Sequence, residues 1–358
     1  MLSEGRSRSV TEEDGVSLLR DLARAMYALA TVGRTGAISL PYPPVVQRTL
    51  DRVVWACVDR SERPPDSVVE LVAWCSKRNP DQWPFPIPAG FVGPGSVLVD
   101  PRVRMPTRTC IELCADGAED APDQAARQLI HRLSETNVDT GSIDTMRTFL
   151  IDHPVLDRAT ARQPRHMAMM RRVRSFYEPV PALHRVERFI PTCPECWLLA
   201  RLDAEGRLSW CEGELCPRGA TVPDPMLAAD EVMLLCEPLR QFVALPGRTE
   251  RRLRTDLAGL GVSCTLVDAA DGTLELGFPI RGRRIIRIVD RIEPALLAAA
   301  ATGWSDSLIV VPDRLFEHNP AYRTTFADAK PPATDIPLVS VSELVALVRG
   351  AILEARHA

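Results

Sequence analysis

Four cysteines carry the clearest chemical signal in the sequence. Cys193, Cys196, Cys211 and Cys216 are spaced C-x2-C-x14-C-x4-C. Each close pair can offer two thiolates to one ion from a tight knuckle. The intervening WLLARLDAEGRLSW reads as a hairpin turning at Gly206. Two knuckles flanking a hairpin are the layout of a zinc ribbon, and four thiolates favour a closed tetrahedral Zn2+ site with no open catalytic position. The second knuckle is longer than the common form. The expected cofactor is a structural Zn2+ that staples neighbouring domains.

A second stretch, RRIIRIVDRIEP at residues 283–294, raises a different chemistry. It reads as a buried strand over 285–289 that runs into a helix start. Strands of this kind carry the metal-binding acid and the lysine of many nucleases. Here Arg287 and Val289 stand where Mg2+ chemistry needs an acid and a lysine. An arginine repels a divalent ion and a valine cannot activate water. The candidate carboxylates nearby are Glu250, Glu275 and Asp290, and no lysine lies between 246 and 300. A slipped register that uses Asp271 and Glu275 remains a rival.

Arginines crowd the same region. Arg281, Arg283, Arg284, Arg287 and Arg291 flank the strand, while Arg248, Arg251, Arg252 and Arg254 head the preceding helix. One reading is phosphate contact with nucleic acid, for which Arg251, Arg281, Arg283, Arg284 and Arg287 are the candidates. The other is a solvated face balanced by Glu250, Asp256, Asp290 and Glu293.

The elements that must position these residues change character along the chain. A helical period begins with Leu18, Leu19, Leu22, Ala23, Met26, Leu29 and Ala30 on one face. Further helices fit 44–60 and 65–78, the latter with Asp66 and Ser67 as capping candidates. A loop rich in Pro and Gly follows, then helices over about 122–135, 142–151 and 157–176. Beyond residue 245 the pattern reads helix 249–260, strands at 262–268, 273–279 and 284–290, helix 294–302, strands at 307–313 and 336–341, and helix 342–355. That is an α-β-β-β-α-β order with one more β-α unit. The early strands suggest an antiparallel meander, the later ones parallel additions, and together a mixed sheet. The expected organisation is α+β and multidomain: a flexible tail at 1–14, a helical domain at 15–185, the zinc ribbon at 186–222 and an α/β domain at 223–358.

Composition sets the outer limits. The chain has 358 residues, 46% hydrophobic and 25% charged, with a net charge of -4. Such a charge gives no global nucleic-acid signal, so contact with a phosphate backbone must be local. The 31 prolines, interspersed with tryptophans and aliphatics, argue for long ordered loops in the first half. No apolar run approaches about 20 residues, and the first residues lack an apolar signal core, so a cytoplasmic protein with no membrane partner is expected. Cys57, Cys75, Cys110 and Cys114 read as core residues, and the histidines show no ligand spacing. Trp55, Trp74 and Trp83 are expected to fill a core or a partner groove.

Several stretches, taken in order, resemble a known family. They are WPFPIP, SVLVDPRVRMPTRTCIEL, TFLIDHPVLD, SFYEPVP, the ribbon CPEC…CEGELC, LAGLGVSCTLVD and VVPDRLF. The chain resembles the restriction-endonuclease-fold proteins, of the PD-(D/E)XK type, that accompany pPIWI-RE proteins in bacterial defence. The resemblance implies a restriction-endonuclease-like C-terminal domain and partnership with a pPIWI-RE protein and a DinG-type helicase, with DNA as a further partner. It implies a component of an anti-phage or anti-plasmid system. The family's catalytic strand, laid on this sequence, falls on Ile286 to Asp290, with an acid expected near Thr273 on the preceding strand. The motif is degenerate, which implies a DNA-binding or scaffold subunit without catalysis. The alternative is an active metal-dependent endonuclease with a rearranged site, which would require Mg2+.

Overall fold

The computed structural model describes residues 11–35, 40–115, 121–135, 140–181, 184–219, 227–332 and 334–357. Residues 1–10 of the expected tail and 220–222 of the expected ribbon segment lie outside the described residues. Glu12 already opens the first helix. The chain is α+β and about half helical. Two compact units divide it. One joins Met1–Ala118 to Ile292–Ala300 and Thr324–Lys330; the other joins Glu119–Arg291 to Ala301–Arg323 and Pro331–Ala358. This division falls inside the helical region expected over 15–185, and neither unit is continuous in sequence. Among the described residues no helix is long and apolar enough to cross a membrane.

The first unit is built on α1 (Glu12–Thr35), α2 (Pro44–Asp59), α3 (Val68–Cys75) and α4 (Arg108–Cys114). A reciprocal cap starts α1: the Thr11 hydroxyl accepts from the Asp14 N–H at 3.2 Å, and the Asp14 carboxylate accepts from the Thr11 N–H at 3.1 Å. The stripe Leu18, Leu19, Leu22, Ala23, Met26 and Leu29 is buried, each large side chain contributing about 1.5–3 kcal/mol on removal from water. Ser67 caps α3 by accepting from the Glu70 N–H at 3.2 Å. The loop after α3 is ordered because its apolar residues join the core. Trp83 stacks on Phe85 with centroids 5.6 Å apart, and Val92, Leu98 and Val99 are buried. Gly15 permits the approach of this loop, since a Cβ there would lie 1.7 Å from the Pro86 carbonyl oxygen. Of the three tryptophans, Trp83 is buried, Trp74 packs at the edge of the core under Arg78, and Trp55 is 68% exposed.

A distant segment completes this unit. The Ile292 and Glu293 N–H groups donate to the Glu112 carboxylate at 2.7 and 3.1 Å. The Glu293 carboxylate accepts from the Gly93 N–H at 2.8 Å, the Ser96 hydroxyl at 2.8 Å and the Thr109 hydroxyl at 2.6 Å. Both glutamates are buried.

The second unit opens with α5 (Pro122–Ser134), α6 (Thr140–Asp152), β1 (Val155–Asp157), α7 (Arg158–Ala161), α8 (Pro164–Val173) and β2 (Tyr177–Pro179). The single helix expected over 157–176 is therefore split. Asp157 ends a strand and caps α7, and Pro164, with no N–H to donate, restarts the chain as α8. Then come β3 (Phe189–Ile190), β4 (Ala200–Leu202), β5 (Leu208–Cys211), β6 (Leu227–Ala228) and β7 (Val232–Leu235). Strand β7 lies between β1 and β2 in an antiparallel sheet. After β7 the chain runs through α9 (Glu237–Leu239), a π-helical turn at Arg240–Ala244 and α10 (Leu245–Gly259).

The remaining elements are β8 (Cys264–Asp268), β9 (Thr273–Ile280), β10 (Arg283–Ile288), α11 (Pro294–Ala300), β11 (Ser307–Val311), α12 (Asp313–His318), α13 (Tyr322–Ala329), β12 (Leu338–Ser340) and α14 (Val341–His357). They form a mixed five-stranded sheet in the order β12-β11-β10-β9-β8. The pairs β8–β9 and β9–β10 are antiparallel, and β10–β11 and β11–β12 are parallel, as the element order suggested. Arg281 and Gly282 make the two-residue β9–β10 turn, both with positive φ (49° and 76°), the geometry that matches strand twist. The interior strand β11 is buried along its whole length. Leu253 and Leu257 of α10 and Leu344 and Val348 of α14 cover the sheet.

Replacing Glu293 by Ala leaves one amide and two hydroxyls without their shared acceptor. The expected cost is about 3 kcal/mol, read as a lower denaturant midpoint, with Glu293→Gln losing less.

Candidate functional site

The four cysteines converge. Their Sγ atoms lie within 4.8 Å of one another and all four are buried. A tetrahedral ion with bonds of about 2.3 Å holds its sulfurs about 3.8 Å apart, so the cluster could hold a metal ion such as zinc. Local backbone makes this possible. In the first knuckle the Cys193 N–H donates to Leu198 O and the Trp197 N–H to Cys193 O, both at 2.9 Å, with Trp197 in the left-handed region. In the second, the Glu214 N–H donates to Cys211 O at 3.0 Å. Gly213 allows the knuckles to close, since a Cβ there would sit 3.0 Å from the Cys196 sulfur. Strands β4 and β5 form the intervening hairpin, and Gly206 takes a φ of 75° at its turn. Contact with Cys196 draws Cys193 below the usual thiol range, and the same contact pushes Cys196 up.

Arginines tie this module to the rest of the second unit. Arg240, from the π-helical turn, donates to Glu212 through Nε and Nη2 at 2.9–3.1 Å. Burial alone would raise the Glu212 carboxyl; Arg240 outweighs it and holds it below its ordinary value. Arg314 of α12 reaches the Cys216 sulfur at 3.9 Å and also donates to Asp290. Arg248 stacks on Trp197, 3.3 Å from the ring centroid.

The sheet holds the second candidate site. In the β9–β10 register Arg287 stands directly opposite Thr273, the two positions where the resemblance implied carboxylates. Arg287 meets Asp271 at 3.3 Å, donates to the Ser307 hydroxyl at 3.3 Å and lies over the Trp304 ring at 4.9 Å. Glu250 is buried and receives Arg147 at 2.8 Å, with Arg254 at 3.7 Å. Asp271 also pairs with Arg127 at 2.8 Å, and Asp290 is buried against Arg314. Strand β10 ends at Ile288, and Val289 and Asp290 both border one cavity of about 70 Å³. Glu275 is exposed and does not border it. Among the described residues, the cysteines are the single group of three or more that could hold a metal.

The arginine candidates fall in three places. Arg281, Arg283 and Arg284 flank the β9–β10 turn. Arg283 donates to Ser305 O and pairs with Asp335 at 3.0 Å, while Arg284 reaches Gly277 O at 3.4 Å. Arg287 lies in the cavity. Arg251 pairs with Asp152 of α6. Sequence reading missed Asp123, Arg127 and Arg147, which helices α5 and α6 bring to the sheet. Asp123 and Arg127 also pair with each other, but the partners that bring them and Arg147 to the sheet region, Arg291, Asp271 and Glu250, lie more than 100 residues away, beyond any local spacing signal.

Elemental analysis of the purified chain is expected to give about one zinc equivalent, and Cys211→Ser to lose it. Arg240→Ala is expected to cost about 3–5 kcal/mol, because it strands a buried carboxylate. The stability from Glu212 is present above its unfolded pKa of about 4.3 and fades as the pH falls through its depressed folded value. An acid titration of wild type and Arg240→Ala should therefore converge at low pH.

Residues 18–157 match the family model of the pPIWI_RE three-gene island domain Y. The match runs from α1 to β1 and covers less than half of the chain. No curated protein and no solved structure matches. Through residues 18–157 the chain is associated with pPIWI-RE three-gene islands.

Proposed function

We propose that the chain is a non-cleaving, nuclease-fold subunit of a prokaryotic defence system, acting with a pPIWI-RE protein and a DinG-type helicase as a nucleic-acid grip or scaffold. The domain Y match supports membership of such a system. The α-β-β-β-α-β order, with a meander of three strands and parallel additions, supports a restriction-endonuclease-like core. One observation carries the loss of catalysis: Arg287 faces Thr273, and Glu250, Asp271 and Asp290 each meet a guanidinium. A Mg2+ ion beside a phosphate needs hard carboxylates free to bind it. Here fixed cations already neutralise them. The chain holds two lysines, Lys77 and Lys330, both in the first unit, so the second unit has none to position a water. The four thiolates select Zn2+ as a structural ion. Phosphate contact is assigned to Arg281, Arg283 and Arg284 at the β9–β10 turn, where guanidiniums suit a backbone without reading bases.

The isolated chain is expected to show no Mg2+- or Mn2+-dependent cleavage of single- or double-stranded DNA. Cleavage abolished by Glu250→Ala or Glu275→Ala would instead establish the rearranged endonuclease. Changing Arg283 and Arg284 to Ala should weaken binding equally for unrelated duplexes and reduce its salt slope by about two. Co-purification with the products of neighbouring genes tests the partnership directly.

A further inference from the structure

The cavity beside β10 contains a contradiction that its ion pairs do not resolve. Four guanidiniums border it, from Arg127, Arg147, Arg287 and Arg291, against three carboxylates, from Asp123, Asp271 and Asp290. The lining therefore carries one surplus positive charge, and counting Glu250 on Arg147 and Arg314 on Asp290 leaves that balance unchanged. Asp123 Oδ2 takes part in the pairing, 3.5 Å from Arg291 and 3.6 Å from Arg127. Asp123 Oδ1 is buried and has no hydrogen-bond partner. A buried carboxylate oxygen without a donor costs about 1–3 kcal/mol or more, so this atom asks for a hydrogen. The surrounding guanidiniums ask for an anion.

One chemical group answers both demands. A phosphate monoester has a second pKa near 6, so near neutral pH a share of it carries one proton and a single negative charge. Its P–OH can donate to Asp123 Oδ1 while its other oxygens accept from guanidiniums, the geometry in which arginine binds phosphate. The monoanion matches the surplus charge. Sulfate has no proton to donate at this pH, and neither has the diester linkage inside a nucleic-acid strand. The cavity of about 70 Å³ holds a few waters at roughly 10–15 Å³ each, or one tetrahedral oxyanion. It is too small for a nucleobase or a continuous strand.

We propose that this pocket binds a terminal phosphate monoester, carried by a nucleic-acid strand end or by a free nucleotide, and holds it without cleaving. Asp123 is the residue that selects the protonated oxyanion, and Arg287, oriented by Trp304 and Asp271, is its principal cation. The inference rests on the non-cleaving reading of this site and deepens it by naming the ligand.

Binding to the full-length chain, measured in EDTA, tests the idea with inorganic phosphate, sulfate, a nucleoside 5′-monophosphate, and one oligonucleotide carrying either a 5′- or 3′-phosphate or hydroxyl ends. Phosphate should bind or compete at least about tenfold better than sulfate, because a site built around a donor rejects an analogue that lacks it. A terminally phosphorylated oligonucleotide should bind more tightly than its hydroxyl form. The tighter of oligonucleotide and mononucleotide identifies the source of the group. Asp123→Asn, whose amide can itself donate, should bring sulfate close to phosphate, and Arg287→Gln should weaken both. Equal binding of phosphate and sulfate to the wild-type chain would overturn the proposal, as would failure of phosphate and of every monoester to bind. Neither outcome depends on a variant folding. A parallel incubation in Mg2+ reports strand cleavage separately, so loss of the non-cleaving reading is distinguishable from loss of the phosphate pocket.

Discussion

A buried carboxylate must be met by donors or by a cation, and this requirement organises the interior of the chain. Glu112 is met by two backbone amides and Arg108, and Glu293 by one amide and two hydroxyls. Glu212, Glu250 and Asp290 are met by arginines from other elements. An arginine suits this task because its planar fork can satisfy two oxygens and stays charged when buried. With two lysines among 43 basic residues, the chain leans almost wholly on that geometry. The pairs join helix to ribbon and helix to sheet, so they hold together elements that apolar contact alone would leave free to slide.

The same requirement separates the two candidate metal positions. At the ribbon, four buried cysteine sulfurs lie within 4.8 Å of one another, an arrangement that could hold a metal ion. At the sheet, the carboxylates are spread out and each already has a fixed cation. One position could hold a metal ion, and at the other Glu250, Asp271 and Asp290 each meet a side-chain cation.

Sequence reading succeeded where the signal was local. The cysteine knuckles and the hairpin between them depend on a few residues each. The strand order after residue 260 followed from short apolar runs separated by turns, and its mixed pairing followed from which connections were short and which carried helices. The opposition of Arg287 and Thr273 follows from the two-residue turn that joins β9 and β10. What was illegible lay far apart in the chain. The sheet of β1, β7 and β2 draws its middle strand from beyond the ribbon. The π-helical turn that aims Arg240 at Glu212 leaves no mark in apolar periodicity. Arg147 carries no spacing signal of its own, and Glu250, which it meets, lies 103 residues along the chain.

The discontinuity of the first unit has a consequence in time. Its first 118 residues leave the ribosome early, yet Ile292 and Glu293, whose amides donate to Glu112, and the Glu293 carboxylate, which accepts from Gly93, Ser96 and Thr109, follow with α11 only after the whole of Glu119–Arg291. At about 5–20 residues per second, that interval is roughly 10–35 s. During it, Glu112 has Arg108 beside it but lacks the amides of Ile292 and Glu293, and Leu18, Leu22 and their neighbours must wait under an incomplete lid. The two units are thus bound to a shared schedule during synthesis, and a gene split near residue 118 would deliver a first product unable to finish its own core.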